Sequence, residues 1–356
     1  MGATDIITLN RILTSAAGLR ASDLHLVVGT QPTIRVDGNL SSMNDEPNVT
    51  VDFLESVAGA LLNDQQRKTL AEKKEVVAAV SLNAQLRFKI TIFLQRGSLA
   101  INMHFIDTAA RSLTDLGLPE PVKALAKLQK GLVIISGPYG SGKSTTLKGF
   151  IHEINNSRTA NIVTIEDPVE QLYVNNQSII EQREVGRDVV SFEQGIVSAS
   201  REDVDVIVAT DMNRPEVIMA ILEAAEASRL VLTTMSSDSV LATLEQIISG
   251  VPVADVNKVR SQLANVLVGI ISQRLVAKSG GGQIMVPDIL IPTPPVRSVL
   301  RDGAMSQLQN VILTSRVEGI QPFDRTLLQL VNDGTISQEE GMRHAQEPSI
   351  FHSKRP

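Results

Sequence analysis

The chain has 356 residues, 43% hydrophobic but only 3% aromatic, with no Trp and no Cys. That length suits about two domains with aliphatic cores, and the missing thiols exclude disulfides and thiolate zinc sites. A net charge of −6, with acids and bases interspersed, argues against a nucleic-acid binder, which needs a basic face for phosphates.

The first residues, MGATDIITLNRILTSAAG, lack the basic start and apolar core of a signal peptide, and no stretch approaches the ~18 to 20 apolar residues that span a bilayer. A cytoplasmic protein with no direct membrane insertion is expected. Ile6, Leu9, Ile12, Leu13 and Ala16 predict an amphipathic helix over Asp5 to Ala17. SDLHLVV and TIRVDGNL then read as strands, the second broken by the turn signal Asp37-Gly38. Val51 to Leu70 reads as one helix, and RFKITIF with LAINMHF as a strand pair, giving a compact α+β module over 1–112. Prolines, Gly and turn-formers between Asp107 and Pro121 mark the boundary, with a linker at 113–121.

A different regime follows over 122–254. Leu132 to Ser136, Ile162 to Ile165, Val204 to Ala209 and Leu230 to Thr234 are apolar runs alternating with helical segments, the pattern of an α/β domain with a largely parallel sheet covered on both faces. After Asp255 the chain reads as mainly helical to residue 356, interrupted by Gly280-Gly281-Gly282 and IPTPPV.

The first of these runs leads into GPYGSGKS, Gly137 to Ser144, which fits the phosphate-loop pattern G-x-x-x-x-G-K-[ST] between a strand and a helix. Gly137, Pro138, Tyr139, Gly140, Ser141, Gly142, Lys143, Ser144 and Thr145 are the candidate nucleotide-binding residues. Backbone N–H groups and the helix N-terminus favour phosphate, Lys143 supplies charge, and Ser144 offers a hydroxyl to Mg²⁺. The next strand ends in IEDPVE, so Glu166 and Asp167 sit at the carboxyl edge where such sheets bind ligands, and either could serve metal-bound or attacking water. VIVATDMNR ends a further strand in Asp211, a candidate for catalysis or metal binding; Asn213, with Glu216 three residues later, reads as a helix N-cap.

These motifs, with ASDLHLVVGTQPTIRVDGNL, FLQRGS, QREVGRD, SREDVDVIV and PPVRSVLRDG, resemble the twitching-motility (PilT-type) retraction ATPases of type IV pili, within the type II/IV secretion ATPases, from about Asp5 to Ala345. The resemblance implies a PAS-like N-terminal domain, a RecA-like ATPase core and a homo-hexamer using ATP and Mg²⁺. Arg87 and Arg96 would reach a neighbour's nucleotide. It also implies a place at the inner face of the cell membrane, held through a pilus platform protein, with a paralogous ATPase as a further ring partner. VRSVLRD, with Arg297 and Arg301 one turn apart, resembles the helix associated with retraction.

Departures accompany the matches. Thr210-Asp211-Met212-Asn213 stands where the family has Gly-Glu-Met-Arg, Ser236 where it has His, and His104 where it has an arginine. Nucleotide binding is therefore expected to survive while hydrolysis is slow, with a weakly hydrolysing regulatory subunit as the alternative.

Overall fold

The computed structural model describes residues 3–81, 86–106, 111–314 and 321–351. The chain divides into two compact units, one comprising Met1–Ala109 with Pro168–Leu172, the other Ala110–Asp167 with Tyr173–Pro356. The Asp107 end of the expected boundary lies outside the described residues.

The first unit contains α1 (Ala3–Gly18), β1 (Asp23–Val27), β2 (Thr33–Val36), β3 (Asn39–Ser42), α2 (Val51–Leu61), α3 (Asp64–Lys73), β4 (Glu75–Ser81), β5 (Arg87–Gln95) and β6 (Ser98–Ile106). Its strands form one antiparallel sheet in the order β3-β2-β1-β6-β5-β4. Alternate strand residues, among them Leu24, Leu26, Ile90, Ile92, Ile101 and Met103, meet Leu9, Ile12 and Leu13 of α1 and Leu54 and Val57 of α2 in one core. The single helix expected over Val51 to Leu70 is two. Leu62 turns extended, and Asn63 starts α3 with a capping box in which its side chain accepts the Gln66 N–H and Gln66 reaches back to the Asn63 N–H. An uncapped break would leave those donors orphaned, so Asn63 favours a fresh start over continuation.

The second unit runs α4 (Glu120–Ala124), β7 (Gly131–Ser136), α5 (Lys143–Ser157), β8 (Asn161–Glu166), β9 (Ile179–Glu184), α6 (Phe192–Ala199), β10 (Val206–Ala209), α7 (Pro215–Glu226), β11 (Leu230–Met235), α8 (Val240–Ser249), α9 (Val256–Val266), β12 (Leu267–Ala277), β13 (Gln283–Leu290), α10 (Pro294–Asp302), α11 (Met305–Thr314), α12 (Phe323–Asn332) and α13 (Gln338–His344). Strand order is β13-β12-β7-β11-β10-β8-β9, parallel except for β13. Every residue of β7 is buried, because its side chains feed two cores: Leu132 and Ile134 face the α6 to α10 side, Val133 and Ile135 the α5 side. Burying each such side chain contributes about 1.5 to 3 kcal/mol before conformational entropy is counted. That double cover is why the strand reads as an unbroken apolar run.

The stretch after Asp255 is not helical throughout. LVGIISQRLVA forms β12, the parallel neighbour of β7, and Gly280-Gly281-Gly282 lies in the turn to antiparallel β13. Pairing beside a buried strand gives this run a sheet environment that local periodicity does not reveal.

Candidate functional site

Parallel pairing gathers the predicted groups on one edge. Ser136 of β7 lies opposite Met235 of β11, and Ala209 of β10 lies opposite Thr233 of β11 and Ile165 of β8. The loops that follow β7, β8, β10 and β11 therefore open together, as ligand crevices of open α/β sheets require. With strands ~4.8 Å apart, the β7 end is roughly 10 Å from the β10 end and roughly 14 Å from the β8 end, measured across the sheet.

The loop from β7 to α5 depends on glycine. Gly137, Gly140 and Gly142 have φ of 150°, 75° and 89°. A Cβ at Gly137 would lie 2.3 Å from the Gln273 carbonyl oxygen and 2.4 Å from Ser141 Oγ. Gly142 is the N-cap of α5 in left-handed conformation and gives no side-chain cap, so the first N–H groups of α5 are left for an external acceptor. Lys143 Nζ donates to the carbonyls of Gly137 (2.8 Å) and Pro138 (2.9 Å), placing its charge over the loop. Burial lowers its pKa below the usual lysine value, so the ammonium is less hydrated than at a surface. Ser141 is buried, whereas Tyr139 and Ser144 are exposed. This loop fits a phosphate: glycine geometry, an uncapped helix start and a partly desolvated cation converge on it.

Glu166 ends β8 and is 6% exposed. Its Oε1 accepts from Thr164 Oγ1 at 2.6 Å and from Gln182 Nε2 of β9 at 3.1 Å, so one carboxylate oxygen is held by two donors. Asp167, the next residue, is exposed. Asp211 lies on the neighbouring strand end. Burial raises its pKa above the ordinary Asp value, opposed by the backbone N–H groups of Asn213 and Met212 and by the charge of Arg214. The N-cap of α7 is Arg214, with Pro215 at the first helical position, and not Asn213. Proline fixes φ for the first turn and needs no N–H partner, so it sets the helix start one residue later than the Asn-to-Glu spacing suggests. Ser236 is exposed just beyond β11.

In the first unit, Arg87 and Arg96 stand at opposite ends of β5. Nine residues at ~3.3 Å each separate them by roughly 30 Å, so the phosphates of one nucleotide cannot meet both from a single copy. Arg96 is exposed in the turn to β6 with φ 51°. Arg87 donates from Nη1 to Ser81 Oγ (2.7 Å), from Nη2 to the Val169 carbonyl (2.7 Å) and from Nε to the Glu170 carbonyl. His104 contacts Asp23 at 2.9 Å, and hydrogen bonds from His104 and Ser22 hold the Asp23 carboxyl below the usual range despite burial.

Sequence reasoning missed Gln273 of β12. Its side chain, 1% exposed, accepts from Thr146 Oγ1 at 2.8 Å and donates to the Ser141 carbonyl at 2.8 Å. A lone glutamine in an apolar run was the available signal.

The helix resembling the retraction motif is α10. Arg297 donates to the carbonyls of Ala264 (2.7 Å) and Leu267 (2.8 Å) at the end of α9, and Arg301 contacts Asn265 Oδ1 at 3.3 Å. Arg297 thus satisfies carbonyls that the end of a helix leaves orphaned.

Comparison with known proteins agrees with this architecture. The chain is 34% identical over 343 residues to the type IV pilus retraction ATPase PilT of Pseudomonas aeruginosa, covering 96% of this chain and 99% of that protein. It is 35% identical over 317 residues to a twitching motility protein of Neisseria gonorrhoeae, covering 88% and 84%. A crystal structure of the pilus retraction motor PilT with bound ADP superposes with a TM-score of 0.84 at 33% identity, covering 96% of this chain and 98% of that one. A family model described as type II/IV secretion system protein matches residues 3–283. The chain belongs to the type II/IV secretion system protein family.

Proposed function

We propose that this chain is a ring-forming, Mg-ATP-dependent motor ATPase of the type IV pilus retraction type whose hydrolytic step is slow. The observation that carries the reading is the loop from Gly137 to Gly142, in which glycine φ values, the uncapped start of α5 and Lys143 Nζ form a phosphate cradle. Likeness over nearly the whole chain to a pilus retraction ATPase supplies the motor role.

In this reading the N–H groups at the start of α5 and the Lys143 ammonium bind the outer phosphates, and Ser144 offers its hydroxyl to the metal. Among the described residues no group of three or more His, Asp or Glu is arranged to hold a metal ion. The donor set present, Ser144 with Asp167 or Asp211, therefore suits Mg²⁺ bound jointly with phosphates and water, as that ion prefers. Bound there, Mg²⁺ would neutralise phosphate charge. Glu166, with Oε1 fixed by Thr164 and Gln182, is the acid best placed to orient water and take its proton. Six copies are expected in the ring. Arg87 of one copy would reach a neighbour's nucleotide only after exchanging its contacts to Ser81, Val169 and Glu170. Anchorage would run through a membrane platform protein, and a paralogous ATPase is a candidate ring partner.

A second reading, a nucleotide-binding subunit that regulates a ring and hydrolyses little, is favoured by one observation: Asp211 is half-buried, and that burial disfavours the charged carboxylate that holding metal or orienting water requires. Calorimetric titration with Mg-ATP, followed by steady-state hydrolysis across protein concentration, tests both. Binding that is lost in Lys143→Ala, with turnover rising as the protein associates, supports the motor. Binding without turnover at any concentration selects the regulatory subunit. Absence of binding overturns the nucleotide reading.

A further inference from the structure

We infer that Gln273 is a positioning residue of the phosphate loop, acting by fixing the direction of the Gly142 N–H; the inference rests on the nucleotide reading above. β12 runs parallel to β7 with Ser272 opposite Ser136, so Gln273, still inside β12 and paired with β13, lies beside Gly137, where β7 becomes loop. Its amide then bridges two parts of the cradle, donating to the Ser141 carbonyl and accepting from Thr146 in the first turns of α5, both at 2.8 Å.

The Ser141–Gly142 peptide is planar and trans, which points its C=O and N–H in opposite directions. With the carbonyl on Gln273, the Gly142 N–H faces away from β12 and joins the unsatisfied N–H groups at the start of α5. Left-handed residues at such a position make a concave nest of N–H groups that receives anions. Without Gln273 the peptide can rotate, exchanging a donor for an acceptor in front of the phosphates.

Space supports the same role. A Cβ at Gly142 would sit 3.1 Å from Gln273 Nε2, and one at Gly137 would sit 2.3 Å from the Gln273 carbonyl oxygen. Gln273 therefore occupies the room that the loop glycines vacate. A fully buried amide costs stability unless both its ends are paired. Here both are, and both partners belong to the loop and its helix, so the glutamine does more than fill β12.

The test compares the unsubstituted chain, Gln273→Met, and Thr146→Val combined with Gln273→Met. Thermal midpoints and calorimetric affinity for Mg-ATP are measured for each. Gln273→Met is expected to weaken Mg-ATP binding by roughly 10- to 100-fold. The double variant makes the Thr146 pair apolar on both sides and should recover the part of the lost midpoint that came from the unpaired Thr146 hydroxyl, yet keep the weakened affinity, because the Ser141 carbonyl still lacks its donor. If Gln273→Met does not fold, the double variant decides alone. Unsubstituted affinity in either folded variant overturns the inference. Failure of the unsubstituted chain to bind Mg-ATP overturns the nucleotide reading instead, and the inference with it.

Discussion

Arg297→Ala should destabilise the second unit by about 2 to 4 kcal/mol, and Arg301→Ala by under about 0.5 kcal/mol. Arg297 sends one N–H to Ala264 O at 2.7 Å and another to Leu267 O at 2.8 Å, at the negative end of α9. Hydrogen bonds from a charged donor contribute about 1.5 to 3 kcal/mol when buried, and a cation at a helix C-terminus adds about 0.3 to 1 kcal/mol. Arg297 is only partly buried, so water recovers part of that loss and the estimate stays below the full sum. Arg301 is exposed and makes one 3.3 Å contact, which water replaces. At about 2 to 4 °C per kcal/mol for a unit of this size, the thermal midpoint should fall by roughly 4 to 16 °C in Arg297→Ala and hardly move in Arg301→Ala. Arg297→Lys keeps the charge but loses the fork, and should fall between them. Circular dichroism melts would measure this, with ATP turnover recorded on the same samples. If Arg297→Ala melts with the unsubstituted chain while turnover collapses, Arg297 acts outside the α9 terminus and this account of the helix is refuted.

Legibility followed how local each cause is. β7, β8, β10 and β11 were readable because each is covered on both faces and so is a continuous apolar run. The phosphate loop was readable because its chemistry fits within Gly137 to Ser144. β12 was not, since Leu267 to Ala277 has the apolarity of a buried helix or a buried strand, and only pairing with β7 and β13 decides. Gln273 was invisible as a site residue for the same reason: its partner, the Ser141 carbonyl, is 132 residues away. Arg297 and Arg301 were legible as a shared face of a helix, but what that face touches came from the last turn of α9. Asp211 was found by position, whereas the burial that raises its carboxyl's pKa depends on a loop conformation that no residue spacing encodes.

Gly137→Ala should lower nucleotide affinity at least tenfold in calorimetry, because its Cβ would meet the Gln273 carbonyl, part of a strand that cannot move aside; retained affinity would refute the cradle geometry. Asp288 accepts the backbone N–H of Val240 at 3.1 Å, yet burial pushes its carboxyl up to about 6, with Asp324 adding and Arg274 opposing. A folded-state value above the unfolded 3.8 means its stabilising contribution is complete below pH 3.8 and is lost as pH rises through about 6. Asp288→Asn should therefore gain on the unsubstituted chain by up to about 3 kcal/mol between pH 4 and pH 8 in denaturant melts, and a pH-independent difference would refute it. Asp211→Glu should raise kcat several-fold with little change in nucleotide affinity. The added methylene extends the carboxylate by roughly 1.3 Å toward the loop edge, and misplacement by about 1 Å costs on the order of 10²-fold in phosphoryl transfer. Glu166→Gln should lower the turnover that exists in either background. An unchanged rate in Asp211→Glu, with a higher one in Ser236→His, would move the deficit to the segment after β11. A rate already equal in the unsubstituted chain would make the shorter acid a full replacement and leave the regulatory reading without its supporting observation.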